Sequence, residues 1–189
     1  MKSNLNEFYP ILHDSDNVAV MEKKYHNYKN HKETQKIKPV IIIPARYESS
    51  RLPGKPLKII HGTSMLQRTY ERCIQALPEQ DVYIATDDIK IEKHCKNFDA
   101  NVLMTATSCL TGTDRIAEAS KHIKCDVVIN VQGDEPIINP VDIREVVNAT
   151  IEHPGEIING MATITTEDEF LNPSIPKVVT APNGKLLYM

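Results

Sequence analysis

Four short apolar runs constrain this chain more than any other feature: Val40–Ile43, Val82–Ala85, Asn101–Met104 and Val127–Val131. They are short, rich in β-branched residues and nearly continuous in apolar character, which predicts strands buried on both faces rather than strands with one wet side. Helical patterns alternate with them. In Ser64–Leu77, the residues Leu66, Tyr70, Cys73, Ile74 and Leu77 share a face, Thr63 or Ser64 can cap the start, and Pro78 stops the helix. A short helix is expected over about Ile89–Asn97, with Asp87 or Asp88 as its cap. Another is expected over Thr113–Ile123, with Ile116, Ser120 and Ile123 on one side, and a further one over Val141–Ile151 after Pro140. Ile158–Ile164 reads as an additional strand. Lys177–Ala181 and Lys185–Met189 flank Pro182-Asn183-Gly184, a hairpin signal.

Repeated β-then-α units with buried strands imply a mostly parallel sheet covered on both faces, an α/β protein built as a three-layer α/β/α sandwich. Ligands of such sheets bind outside the carboxyl ends of the strands. The domain is expected over residues 39–189. Residues 1–38 read as an N-terminal extension, partly disordered: from Glu22 to Lys38 there are six lysines and only two acids, with little apolar periodicity. The chain stops inside the second arm of the expected hairpin, so the reading includes a C-terminal truncation.

Charge and cysteine usage exclude several functions. The formal net charge of −3 argues against binding nucleic acid through overall charge, yet permits a local basic pocket. No apolar stretch approaches the roughly 20 residues needed to cross a bilayer, and no secretory leader is visible, so a cytoplasmic location without membrane partners is expected. Cys73, Cys95, Cys109 and Cys125 are widely spaced, without C-x-x-C, and read as reduced, mostly buried thiols. The seven histidines lack metal-ligand spacing, and Ser49 and Ser50 lack a nucleophile-elbow setting.

Chemistry concentrates just past the strands. After Val40–Ile43 the chain reads Pro44-Ala-Arg-Tyr-Glu-Ser-Ser-Arg-Leu-Pro-Gly-Lys-Pro56. Arg46, Arg51 and Lys55 on one loop stiffened by Pro53, Gly54 and Pro56 suit a polyphosphate, with planar forks and a compact charge. The alternative is a basic surface loop paired with Glu48. It is neither a Walker A loop nor G-x-G-x-x-G. After the fourth strand comes Gln132-Gly133-Asp134-Glu135-Pro136, an acidic pair at a strand end. It suits Mg²⁺ bridging to phosphates, with Asp134 the better ligand; otherwise it is a polar turn. Thr86-Asp87-Asp88 could read a ribose or base edge, or simply cap the next helix. In Leu110-Thr111-Gly112-Thr113-Asp114-Arg115, a glycine turn opens a helix. Its N–H groups suit an anion or a hydroxyl, or Thr113 is the N-cap with Asp114 in the first turn.

Taken in order, these motifs resemble the cytidylyltransferases that activate acidic sugars, the CMP-KDO synthetase family in particular. The stretch Ile42-Ile43-Pro44-Ala45-Arg46 through Gly54-Lys55-Pro56-Leu57 carries the likeness. So do Ala85-Thr86-Asp87, Thr111–Glu118, Val131–Pro136, and Asn172-Pro173 followed by Lys177-Val178-Val179. The resemblance spans about Pro39 to Met189 and implies a nucleotide-diphospho-sugar transferase-like fold. It implies CTP plus 3-deoxy-D-manno-octulosonate (KDO) giving CMP-KDO and pyrophosphate with Mg²⁺, for lipopolysaccharide biosynthesis. By that carry-over, Arg46, Arg51 and Lys55 hold the triphosphate and stabilise departing pyrophosphate. Pro44, Ala45 and the Ala85-Thr86-Asp87 turn frame the cytidine, and Gln132 lies beside the α-phosphate. Asp134 binds Mg²⁺, while Thr111, Gly112, Thr113 and Arg115 line the nucleotide–sugar junction. The family also implies a homodimer, and continues past Leu187-Tyr188 into a part that supplies sugar contacts and a second metal-binding Asp. Rival readings are CMP transfer to 8-amino-KDO or a nonulosonate, and a truncated nucleotide-binding protein without activity.

Overall fold

The computed structural model describes residues 37–48 and 52–189, which group into two compact units, 37–159 and 160–189. The expected extension lies outside the described residues except for Ile37 and Lys38. Lys38 is already tied to the fold: its N–H donates to Asp126 Oδ2 at 2.8 Å, and its carbonyl accepts from the Asp126 N–H at 2.9 Å.

In the first unit, four strands form one parallel sheet: β1 (Pro39–Pro44), β4 (Val82–Thr86), β5 (Asn101–Met104) and β6 (Val127–Asn130). The spatial order is β5-β4-β1-β6. A small antiparallel pair, β2 (Ile59–Ile60) and β3 (Thr63–Ser64), precedes the first helix. The sheet's two faces follow the strand period of two. Ile41 and Ile43 of β1 pack with Val82 and Ile84 against Leu66, Tyr70 and Cys73 of α1 (Met65–Cys73), Ile91 and Cys95 of α2 (Ile89–Cys95), and Ile143 and Val147 of α4 (Pro140–Glu152). Val40 and Ile42 face the other way, onto Ile116 and Ala119 of α3 (Gly112–Ser120). The unit is thus the expected three-layer α/β/α sandwich.

Local chemistry sets the helix starts. Ser64 caps α1 by accepting from the Gln67 N–H at 3.2 Å, Asp88 caps α2, and Asn139 caps α4 ahead of Pro140. For α3 the cap is Thr111, not Thr113. The Thr111 hydroxyl accepts from the Asp114 N–H at 3.1 Å, while the Asp114 carboxylate accepts from the Thr111 N–H at 2.9 Å. That reciprocal capping box places the N-cap two residues upstream of Thr113, and the helix starts at Gly112.

The strand expected at Ile158–Ile164 does not form; the segment is irregular and largely exposed. No strand among the described residues pairs with it, and without a ladder its backbone groups have nothing to order them. In the second unit, α5 (Glu167–Leu171) starts at a Thr166/Glu169 capping box, and β7 (Val179–Thr180) pairs antiparallel with β8 (Leu186–Tyr188). The expected hairpin is therefore present, with shorter arms.

Candidate active site

Chain order determines where a ligand can enter the sheet. From β1 the chain moves outward on one side, through β4 to β5, and then returns to β6 on the other side of β1. The switch point lies between β1 and β6, where the loops after the two strands diverge and leave a crevice. The Pro44–Lys55 loop and the Gln132–Asp134 turn are those two loops.

Close packing brings them together. A Cβ on Gly133 would stand 2.8 Å from the Pro44 carbonyl oxygen, nearer than real Cβ atoms come, so only glycine lets this turn lie against the end of β1. On its other side, the buried Thr69 hydroxyl in α1 donates to Met65 O at 3.2 Å and shares that donation with Gly133 O at 3.3 Å. Gly54 has φ 67°, the left-handed region, and the Tyr47 ring lies 3.3 Å from where its Cβ would be. It starts a 3₁₀ turn, Lys55–Leu57, and its N–H closes the loop onto Tyr47 O at 2.9 Å. The Lys90 ammonium stacks 4.2 Å over the same Tyr47 ring.

A cavity of about 200 Å³ opens at this crevice. Pro44, Ala45, Arg46 and Lys55 form one wall, Gln132 and Asp134 another, and Thr111, Gly112 and Arg115 at the start of α3 a third. Nine of the nominated residues thus meet in one place. Arg51 lies outside the described residues. The cavity is smaller than the roughly 300 Å³ at which drug-sized pockets begin, a scale that suits a phosphate chain better than a whole nucleotide.

Two of the cations in the cavity wall are paired. Lys55 Nζ donates to Asp134 Oδ2 at 2.5 Å, with the two side chains 34% and 47% exposed. Among the described residues no ion pair to Glu48, the expected alternative partner, forms. A half-exposed pair of this kind contributes about 0–1 kcal/mol, so it is readily exchanged for a ligand. Arg115 is different: its residue is 3% exposed, and its guanidinium donates to Asp87 Oδ2 at 2.8 Å and to Thr105 Oγ1. Gln132 donates to Asn130 Oδ1 at 3.0 Å.

Four nominated residues do not enter the cavity wall: Ala85, Thr86, Asp87 and Thr113. Ala85 and Thr86 are fully buried. Ala85 O accepts from the Ala45 N–H, Thr86 O accepts from the Thr105 N–H, and Thr86 Oγ1 accepts from the Asp88 N–H. They hold the neighbouring loops to the sheet. Four wall residues were not nominated: Pro56, Met65, Cys109 and Gly133. Gly133 stood inside a recognised motif, and its missing Cβ was the available signal; Met65 and Cys109 carried none. Cys109 Sγ donates to the Glu118 carboxylate at 2.9 Å, which pushes the thiol's pKa up and holds the carboxyl below its usual range.

Among the described residues no group of three or more His, Cys, Asp or Glu side chains converges as a metal cage. The donor set is Asp134 alone, which fits an ion such as Mg²⁺ that takes one or two carboxylates and completes its shell with phosphate oxygens and water.

Comparison with known proteins identifies relatives of the chain. A family model described as cytidylyltransferase matches residues 40–189. The chain is 42% identical over 152 residues to a 3-deoxy-manno-octulosonate cytidylyltransferase of Protochlamydia amoebophila, covering 78% of this chain and 59% of that protein. It is also 42% identical over 155 residues to an 8-amino-3,8-dideoxy-manno-octulosonate cytidylyltransferase of Shewanella piezotolerans, covering 78% and 62%. Among solved structures it resembles CMP:2-keto-3-deoxy-manno-octonic acid synthetase complexed with CTP, with 43% identity and a TM-score of 0.60, over 62% of this chain and 49% of that one. The chain thus spans about 60% of the length of these curated relatives.

Proposed function

This chain belongs to the cytidylyltransferase family, and from that premise we propose that it transfers CMP from CTP to KDO, releasing pyrophosphate and feeding lipopolysaccharide biosynthesis. The observation that carries the proposal is the cavity at the switch point, in which Arg46, Lys55 and Arg115 face Gln132 and Asp134. A cationic crevice with one carboxylate suits a triphosphate better than a neutral ligand.

The anomeric hydroxyl of the sugar acid attacks the α-phosphorus of CTP. The new O–P bond forms as the bond to pyrophosphate breaks, and the hydroxyl proton passes to solvent. Such chemistry needs positioning and charge stabilisation more than covalent help. Arg46, Arg51 and Lys55 bind the triphosphate and neutralise charge on the departing pyrophosphate. Gln132 orients the α-phosphate, with Thr111 and Gly112 beside it. Pro44 and Ala45 border the cytidine, with the Ala85-Thr86-Asp87 turn behind them. Asp134 would hold Mg²⁺, which when bound draws charge from the phosphate oxygens. Lys55, paired with Asp134 in this structure, would turn from it to the phosphate chain. The proposal includes a homodimer, as the family resemblance implies, acting in the cytoplasm without nucleic acid.

A second acceptor, 8-amino-KDO, is favoured by one observation: relatives named for that sugar match at the same 42% identity. Pyrophosphate release from CTP and Mg²⁺ with KDO, 8-amino-KDO and a nonulosonate in parallel decides between them. Release with KDO above the others is expected. Release with none of the acids, together with no binding of CTP by calorimetry, would overturn the reading.

A further inference from the structure

Arg115 is nearly buried, yet it forms part of the cavity wall. A buried guanidinium is costly unless its charge is balanced and its donors are satisfied. Here Asp87, at the end of β4, takes one Nη at 2.8 Å, and the hydroxyl of Thr105, one residue past β5, takes the other. Neither Asp87 nor Thr105 lines the cavity. Both acceptors are themselves fixed. The Thr105 N–H donates to Thr86 O at 2.8 Å, and Asp87 lies between the buried Thr86 and the α2 cap Asp88. Three elements thus converge on one fork: α3 supplies it, and the ends of β4 and β5 hold it from behind.

We propose that Asp87 and Thr105 are positioning residues that fix the Arg115 fork as a pre-oriented donor for an oxyanion of the bound nucleotide's phosphate chain. Arginine is suited to this role because its five donors outnumber the two acceptors behind it, which leaves donors for a ligand. Fixing the fork before the ligand arrives spares the entropy of ordering a long side chain during binding. In this assignment Asp87 does not read the base; its carboxylate is occupied by Arg115. The inference rests on the nucleotide reading of the cavity and deepens it.

Calorimetric titration with CTP, UTP and inorganic tripolyphosphate tests it, with melting temperature recorded for every variant. Thr105→Val keeps the shape of the side chain and removes the acceptor. Asp87→Asn removes the balancing charge. Both are expected to weaken CTP and tripolyphosphate by a similar factor, about tenfold for a lost hydrogen bond to a charged group. The ratio of CTP to UTP affinity should stay unchanged, and Thr105→Ser should restore binding. Should Asp87→Asn fail to fold, the Thr105 pair carries the test alone. Three results overturn the proposal. A Thr105→Val variant with a lowered melting temperature and intact tripolyphosphate binding makes the contact merely structural. An Asp87→Asn variant with a changed CTP to UTP ratio and spared tripolyphosphate binding makes Asp87 a base reader. A wild-type protein that binds neither CTP nor tripolyphosphate overturns both this inference and the nucleotide reading. Binding of tripolyphosphate without CTP supports the Arg115 assignment and sinks the cytidylyl one.

Discussion

Gly133 holds the two halves of the site together through an atom it lacks. Its Cα lies so close to the Pro44 carbonyl that an added methyl would meet backbone, which cannot swing aside as a side-chain tip can. Gly133→Ala must therefore move the turn that carries Gln132 and Asp134. Overpacking of this kind costs about 1–3 kcal/mol. We expect urea denaturation to show a loss in that range, and CTP affinity to fall with it; a variant as stable as wild type would contradict the close approach. At the opposite wall, Cys109 gives a pH-dependent reading. Its hydrogen bond to the Glu118 carboxylate raises the thiol's pKa, with partial desolvation adding to it. A raised pKa means less thiolate at pH 8, so the thiol alkylates slowly there. Glu118→Gln removes the anionic acceptor and should lower the Cys109 pKa, giving faster modification by iodoacetamide at pH 8, followed site by site by mass spectrometry. Cys73 and Cys95, pushed up to about 12 by burial, should remain unmodified in the folded protein of either form. An unchanged Cys109 rate would remove Glu118 from its control.

Helix α3 presents Thr111, Gly112 and Arg115 to the cavity, so the stability of its first turn bears on the site. Thr111→Val deletes the hydroxyl that accepts from the Asp114 N–H and keeps the branched shape. Loss of a threonine cap typically costs about 1 kcal/mol. Chemical denaturation should report that loss, and Thr111→Ser should recover most of it. Thr113→Val, outside the cap, should be near neutral in the same assay. This pair also shows what was legible beforehand. Either threonine could have capped the helix, and the choice was made by Asp114, which sits three residues after Thr111 and can return the hydrogen bond. The four sheet strands were legible because continuous β-branched runs have few other ways to be buried. The strand expected at Ile158–Ile164 is absent because a short apolar segment says nothing about whether a partner strand is there to pair with it.

Across the whole molecule, the legible part is the part whose instructions are local. Strand runs, helix faces and the loops past β1 and β6 are each written within about a dozen residues. The pairing of Arg115 with Asp87 and Thr105 was not, since it joins residues 28 and 10 positions apart through the sheet. The energetics divide along similar lines. Among the described residues, both apolar clusters draw only on residues 40–151. Many apolar side chains of the 160–189 unit, including Phe170, Leu171, Leu187 and Tyr188, are well exposed. A core confined to one continuous stretch should fold from that stretch alone. Ile41 tests this most directly: it has no exposed surface, sits on the central strand β1, and pairs with Val82 on one side and Ile129 on the other. Ile41→Ala leaves a cavity with strands on both flanks and should cost about 2–5 kcal/mol. Measured by urea denaturation, that loss should agree within about 0.5 kcal/mol between the 189-residue chain and a fragment of residues 37–159. A fragment that unfolds without a cooperative transition, or one in which Ile41→Ala is nearly silent, would show that the sandwich depends on residues beyond 159 for its packing.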